Sequence, residues 1–297
     1  MEVLMLPNIR SDFDGYNCLI SLYHYLIEQT ENEITLNFKE TEWFEANLSA
    51  VLGAVCMLVI EQEKKVTVSN INPILSKVLR RNQFLCEFGY EHIVENLITI
   101  ITYRKFAPNE DIEFMDYIRD ELLSKPDFPK HSKLLGKKIN ESIFELFENA
   151  RTHGHCEQIY TCGQYYPNKK IKRLDITIVD MGNTIKANVN QYLKQNLSGS
   201  ETIEWALEYG NTTKTGNVSG GLGLDIIFEF IKLNNGKIQI VSSDGYWKYR
   251  RGVIEKKLFE KHFPGTIANI EFNLDDDKSY KLKEEISLDD IFYNFAL

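Results

Sequence analysis

Residues 139–154 read INESIFELFENARTHG, and the reading of this stretch decides the fold. Ile139, Ile143, Leu146, Phe147 and Ala150 recur at the three- and four-residue spacing of one helical face. The pattern predicts a helix from about Leu134 to Thr152. Glu145 and Asn149 stand one turn apart at the edge of that face. An amide oxygen placed there can ligate magnesium, a hard cation that prefers oxygen. A carboxylate beside it can orient and deprotonate a water. The same two residues would also suit an ordinary solvated helix edge, so the decision rests on what lies further along the chain.

Two further stretches bear on it. In ITIVDMGNTI, residues 176–185, a strand predicted over Arg173 to Val179 runs into Asp180, followed by Met181 and Gly182. A carboxylate at a strand's C-terminal end can accept a hydrogen bond from an adenine amino group, although an Asp-x-Gly turn is common in its own right. In NTTKTGNVSGGLGLDII, residues 211–227, Gly220, Gly221 and Gly223 open a predicted helix, Leu222 to Leu233. Glycines let the backbone approach a phosphate, and a helix N-terminus offers unpaired N–H groups and a positive dipole end. Lys214 could reach a terminal phosphate. No Gly-Lys-Ser/Thr follows these glycines, so this is not a Walker-type loop. Asn234-Asn235-Gly236 stops the helix, and strands over Lys237 to Ser242 and Thr266 to Leu274 follow.

In this order, Glu145-x-x-x-Asn149-Ala150, Asp180-x-Gly182 and Gly221-Leu222-Gly223-Leu224 resemble the nucleotide boxes of the GHKL ATPase superfamily, which includes gyrase B subunits, heat-shock chaperones, histidine kinases and MutL-type repair proteins. Gly265-Thr266 resembles its fourth box. The resemblance covers roughly residues 112–274 and implies a Bergerat fold, a mixed sheet with helices on one face and ATP under a mobile lid. It implies that Asn149 holds Mg2+, that Glu145 is the general base, and that Asp180 binds the adenine amino group. It further implies that Gly182 lets the chain pass close to the base, that Gly221 and Gly223 bind the phosphates, and that Thr266 supports the adenine; Lys214, Gly220, Leu222 and Leu224 are cofactor-binding candidates beside them. The lid would be about 183–219. Asn149-Ala150-Arg151-Thr152-His153-Gly154 is closest to the Asn-Ala-x-x-His-Gly of anti-sigma-factor kinases, whereas Thr184 stands where the family often has a second glycine.

The N-terminal part alternates strands and helices: strands at Glu33 to Phe38 and Lys65 to Ser69, helices at Ser49 to Glu63 and Ile74 to Arg81. Over Ile34 to Tyr90 it is similar to the STAS fold of anti-sigma-factor antagonists. Those carry a phosphorylatable Ser where Ala46 or Asn47 stands here, which implies a docking or sensing module without that switch. The boundary is expected in the polar segment Phe106 to Asp111, giving a STAS-like α/β domain over 1–108 and an ATPase domain over 109–297, α/β (α+β) overall.

The composition bounds the rest. The chain has 297 residues and a formal charge of -9, which argues against a nucleic-acid backbone as partner. No apolar run is long enough to span a bilayer and the start lacks a signal-peptide pattern, so a cytoplasmic protein with no membrane partner is expected. Five scattered cysteines fit reduced thiols. His153, His155, Cys156 and Cys162 cluster without a standard zinc spacing. Lys169 to Arg173 reads as a solvated basic hairpin, and Trp247 to Arg251 as a surface insertion between two strands. The aromatic end, Phe292 to Leu297, could pack on its own domain or on a second copy.

These features give an ATP- and Mg2+-dependent conformational switch with slow hydrolysis as the leading expectation, with a protein partner held through the STAS-like part and a homodimer by analogy. A protein serine/threonine kinase and a non-hydrolysing nucleotide-binding module are the alternatives.

Overall fold

In a computed structural model, residues 2–95, 98–167, 170, 172–208, 210, 211, 213 and 223–285 are described. Glu2–Met5 (β1), Glu33–Asn37 (β2) and Lys65–Ser69 (β3) form a parallel sheet in the order β1-β2-β3. Parallel neighbours need crossovers, here supplied by helices Phe13–Glu28 (α1) and Ser49–Ile60 (α2). Asp12 starts α1 by accepting the Gly15 N–H at 2.9 Å. A third helix, Pro73–Arg81 (α3), begins with Asn72 as N-cap and Pro73 in its first turn, as the Asn-Pro pair predicts.

Ile100–Phe106 (β4) and three helices follow: Asp111–Tyr117 (α4), Lys133–Asn149 (α5) after the two-residue strand Lys130–His131 (β5), and, later, Gly223–Asn234 (α8). Between them lie Ile159–Tyr166 (β6), Arg173–Asp180 (β7) and the helices Ile185–Leu193 (α6) and Gly199–Leu207 (α7). The strands Lys237–Arg250 (β8) and Val253–Asn273 (β9) complete a five-stranded antiparallel sheet, β4-β6-β7-β9-β8. Ser279–Tyr280 (β10) pairs with β5. The chain is therefore a mixed α+β protein.

The large sheet is covered on both faces. Ile176, Ile178, Ile270 and Phe272 face α4, α5 and α8, and their strand neighbours Val179 and Ile267 face the N-terminal layer. On that second face sits α2, whose residues Ser49 to Cys56 are all buried. A helix apolar all round has no solvent side, and α2 lies between the two sheets.

Several expectations change. β4 precedes the boundary expected after residue 108, yet it is the outer strand of the large sheet. β1, α1 and β6 were not anticipated. The polar segment 183–219, expected to be a lid, contains α6 and α7. Trp247 to Arg251 is not a surface insertion: Trp247 and Tyr249 are inward residues of β8, 2% and 8% exposed, packed against Phe228 of α8. Arg173 does not end a solvated basic hairpin: it lies in β7 and pairs with Glu45 and Asp175, while Lys169 and Ile171 lie outside the described residues. The C-terminal aromatic segment 292–297 also lies outside them. Among the described residues no helix is long and apolar enough to cross a membrane.

Candidate functional site

Helix α5 is set by its ends and its buried face. The Ser132 hydroxyl accepts the Leu135 N–H at 3.0 Å, Ile139, Ile143 and Phe147 are fully buried, and the Ser142 hydroxyl accepts the Ile227 N–H at 3.2 Å, tying α5 to α8. Residues 142, 145, 146 and 149 share one side of this helix. Glu145, Leu146 and Asn149 therefore face a cleft beside the N-terminus of α8.

After Asn149 the helix widens into a π-helical turn, Ala150–Gly154, and leaves it at His155 with φ +52°. Such a widened turn is frequent where a helix serves a site. Here it brings Gly154 under the end of β7. The Gly154 carbonyl accepts the Asn183 N–H at 2.7 Å, and a Cβ on Gly182 would stand 2.2 Å from that carbonyl oxygen. Only a glycine tolerates this approach. Gly182 thus passes close to Gly154 and does not itself line the cleft.

Asp180 sits above this crossing, 7% exposed. Its Oδ1 accepts the Gly182 N–H at 3.1 Å. Burial pushes its carboxyl up to about 7, against the pull of the Gly182 and Thr266 backbone N–H groups. A carboxylate in that condition is short of donors and is suited to accept one from a ligand. The sheet register aligns Asp180, Thr266 and Ser242 in one cross-strand row and Ile178, Ala268 and Ile240 in the next. The first row is polar, with Thr266 and Ser242 hydroxyls 3.1 Å apart. The second is the aliphatic floor of the cleft.

The opposite wall comes from α6 and α7, through Val189, Ile203 and Trp205. Both helices are fixed to β8. The Ile185 N–H donates to Ser242 Oγ at 2.9 Å, Lys186 pairs with Asp244 at 2.8 Å, and the Gly199 N–H donates to Asp244 at 3.0 Å. The cleft is open to solvent at its mouth. A shallower polar groove, lined by Thr152, His155 and Tyr192, continues it past His153 and Asn188.

Five residues singled out from sequence (Glu145, Asn149, Asp180, Leu224 and Thr266) line this one cleft, although 121 positions separate the first from the last. Gly223 opens α8 beside Leu224. Lys214, Gly220, Gly221 and Leu222 lie outside the described residues. Trp205, Asn188 and Asp225 also line the cleft and went unnoticed. Asp225 stands next to the Gly-Leu-Gly-Leu run, a signal that could have found it; Trp205 needed the fold. The clustered Cys156 and Cys162 face carbonyls, those of Ala150 and Ile101, and among the described residues no three metal-ligating side chains converge.

The arrangement can hold a flat heterocycle on the aliphatic floor with an N–H donated to Asp180, and an anionic group toward α8, where Glu145 and Asn149 offer oxygens to a hard cation. No protein-family model matches this chain, and no curated protein matches it closely enough to count as a relative.

Proposed function

We propose that the cleft binds ATP with Mg2+ and that the protein is a GHKL-type, ATP-dependent conformational switch with slow hydrolysis, the sheet with α5 and α8 being of Bergerat type and the N-terminal layer STAS-like. The observation that carries this reading is the convergence of Glu145, Asn149, Asp180, Leu224 and Thr266 on one cleft.

The donor set fits the ligand. Asp180 accepts the adenine amino group and Thr266 supports the base beside it. Asn149 supplies an amide oxygen to Mg2+, which usually binds through one or two protein oxygens together with substrate phosphates. When bound, Mg2+ neutralises charge on the phosphates. Glu145, one turn before Asn149, orients a water and takes its proton. The apolar wall of α6 and α7 excludes bulk water from the base.

The polar groove beyond His153 favours a second reading, in which a protein hydroxyl enters there and the γ-phosphate goes to it. The test is to follow ATP labelled on the γ-phosphate. Free labelled phosphate that needs Mg2+, with binding kept and release cut at least 100-fold in Glu145→Ala, is the expected result. Unchanged release in Glu145→Ala would remove Glu145 as base, and label passing to an added protein would favour the kinase reading.

A further inference from the structure

The strands that form the cleft floor have a second face, and it is unusually polar for a surface buried between two layers. Directly behind the row Ile178–Ala268–Ile240 runs Thr177–Asn269–Gln239, and one step further Asp175–Glu271–Lys237. All six are buried. They meet two segments of the N-terminal layer: the 3-10 turn Ala46–Leu48 with Glu45 before it, and Ser11, whose carbonyl accepts from Gln239 at 3.0 Å and Lys237 at 3.3 Å.

Asn47 is fully buried, and the two N–H groups of its amide are shared among Thr177 Oγ1 at 2.9 Å, Asn269 Oδ1 at 3.1 Å and Ser11 Oγ at 2.9 Å. Thr177 and Asn269 are joined at 2.8 Å, and Asn269 donates to Gln239 at 2.9 Å. One side chain therefore clasps β7, β9 and, through Asn269, β8. Glu45 holds Arg173 at 2.5 Å and the Ser11 N–H at 2.7 Å. Arg173 in turn pairs with Asp175, and Lys237 pairs with Glu271. A hydrophobic contact tolerates small slips in register. A buried network of directional bonds does not, because a lost partner leaves a polar group unsatisfied.

On β7 Thr177 lies between Ile178, on the floor, and Ile176, and Asp180 is three residues on. On β9 Asn269 follows Ala268, and Thr266 is three residues back. We propose that Asn47, supported by Glu45, is a positioning residue for the nucleotide cleft: it fixes β7 against β9 from behind, so that docking of the N-terminal layer sets the cleft's affinity, and the nucleotide in turn tightens that docking. This rests on the nucleotide reading above. Linkage requires the two effects to be equal.

The test uses the full chain and MgADP as probe. Affinity is measured for the wild type, Asn47→Ala, Thr177→Val and the double variant, with near-ultraviolet circular dichroism confirming that each is folded. Coupling of this kind is typically about 5- to 150-fold, and we expect Asn47→Ala to weaken MgADP at least fivefold and to add little in the Thr177→Val background. Should Asn47→Ala not fold, hydrogen exchange on the wild type carries the test: saturating MgADP should slow exchange at Asn47, Leu48 and Ser11 at least fivefold. A simple loss of stability would lower the melting temperature and leave the affinity of the folded form alone. Wild-type affinity in Asn47→Ala, or unchanged exchange at these amides, would overturn the inference while leaving nucleotide binding intact. No MgADP binding by the wild type would instead overturn the nucleotide reading, and this proposal with it.

Discussion

Asp180, which lines the cleft, was readable as a candidate because a carboxylate at a strand end is a local pattern, but its electrostatic condition was not. That depends on Gly154, Gly182 and Thr266, which come from three elements. With its carboxyl near 7, the group is part-protonated in neutral solution, and the ionised form is the stronger acceptor of a ligand N–H. Nucleotide affinity should therefore fall as pH drops below about 7, by up to tenfold per pH unit, and Asp180→Asn should bind at least tenfold more weakly with a flat profile; titration calorimetry from pH 5.5 to 8.5 checks both. The sign for stability is opposite. A carboxyl whose folded value lies above its unfolded value contributes stability at low pH and loses it as pH rises through the folded value. Asp180→Asn should thus melt progressively higher relative to wild type from about pH 4 to about pH 7, with the difference levelling off above. Asp175, raised by burial first and Glu271 second, acts in the same direction.

Elements with local punctuation were read well: α3 from Asn72-Pro73, the end of α8 from Asn235, which adopts φ +58°, and α5 from its apolar period. Helices α6 and α7, within the polar segment 183–219, were not read from the sequence because its composition is polar, although their caps were present. Thr184, noted only as a missing glycine, caps α6 by accepting the Ala187 N–H at 3.1 Å, and Ser198 with Glu201 forms a capping box on α7. What no local pattern reveals is their anchorage. At the start of α7 a Cβ on Gly245 would stand 2.2 Å from the Gly199 carbonyl carbon, so Gly245→Ala must push α7 off β8, at about 1–3 kcal/mol by thermal or urea unfolding. Asp244→Ala removes the acceptor for Gly199 and the partner of Lys186, and should cost about 1 kcal/mol. Both variants should weaken nucleotide binding if α6 and α7 are a fixed wall; normal affinity in both would make the wall irrelevant to the cleft.

At the scale of the molecule, α+β class was legible, and so was the order of the chemical residues along the chain. The joining of the two parts was not. Pairing of β4 with β6 spans 53 to 64 residues, and the contact of Asn47 with Asn269 spans 222; patterns of period two or 3.6 do not report such distances. The result is a sheet used on both faces, with the cleft in front and the N-terminal layer behind. Everything proposed for this molecule depends on what the cleft holds, and the most direct measurement is calorimetric titration of the full chain with MgATP and, separately, MgGTP at pH 7.5. ATP and GTP share their phosphates and sugar, and only adenine carries an amino group at the position Asp180 would read. Saturable binding of MgATP, at least tenfold weaker binding of MgGTP, and loss of that preference in Asp180→Asn is the predicted result. No binding of MgATP, or equal binding of the two nucleotides, would contradict it.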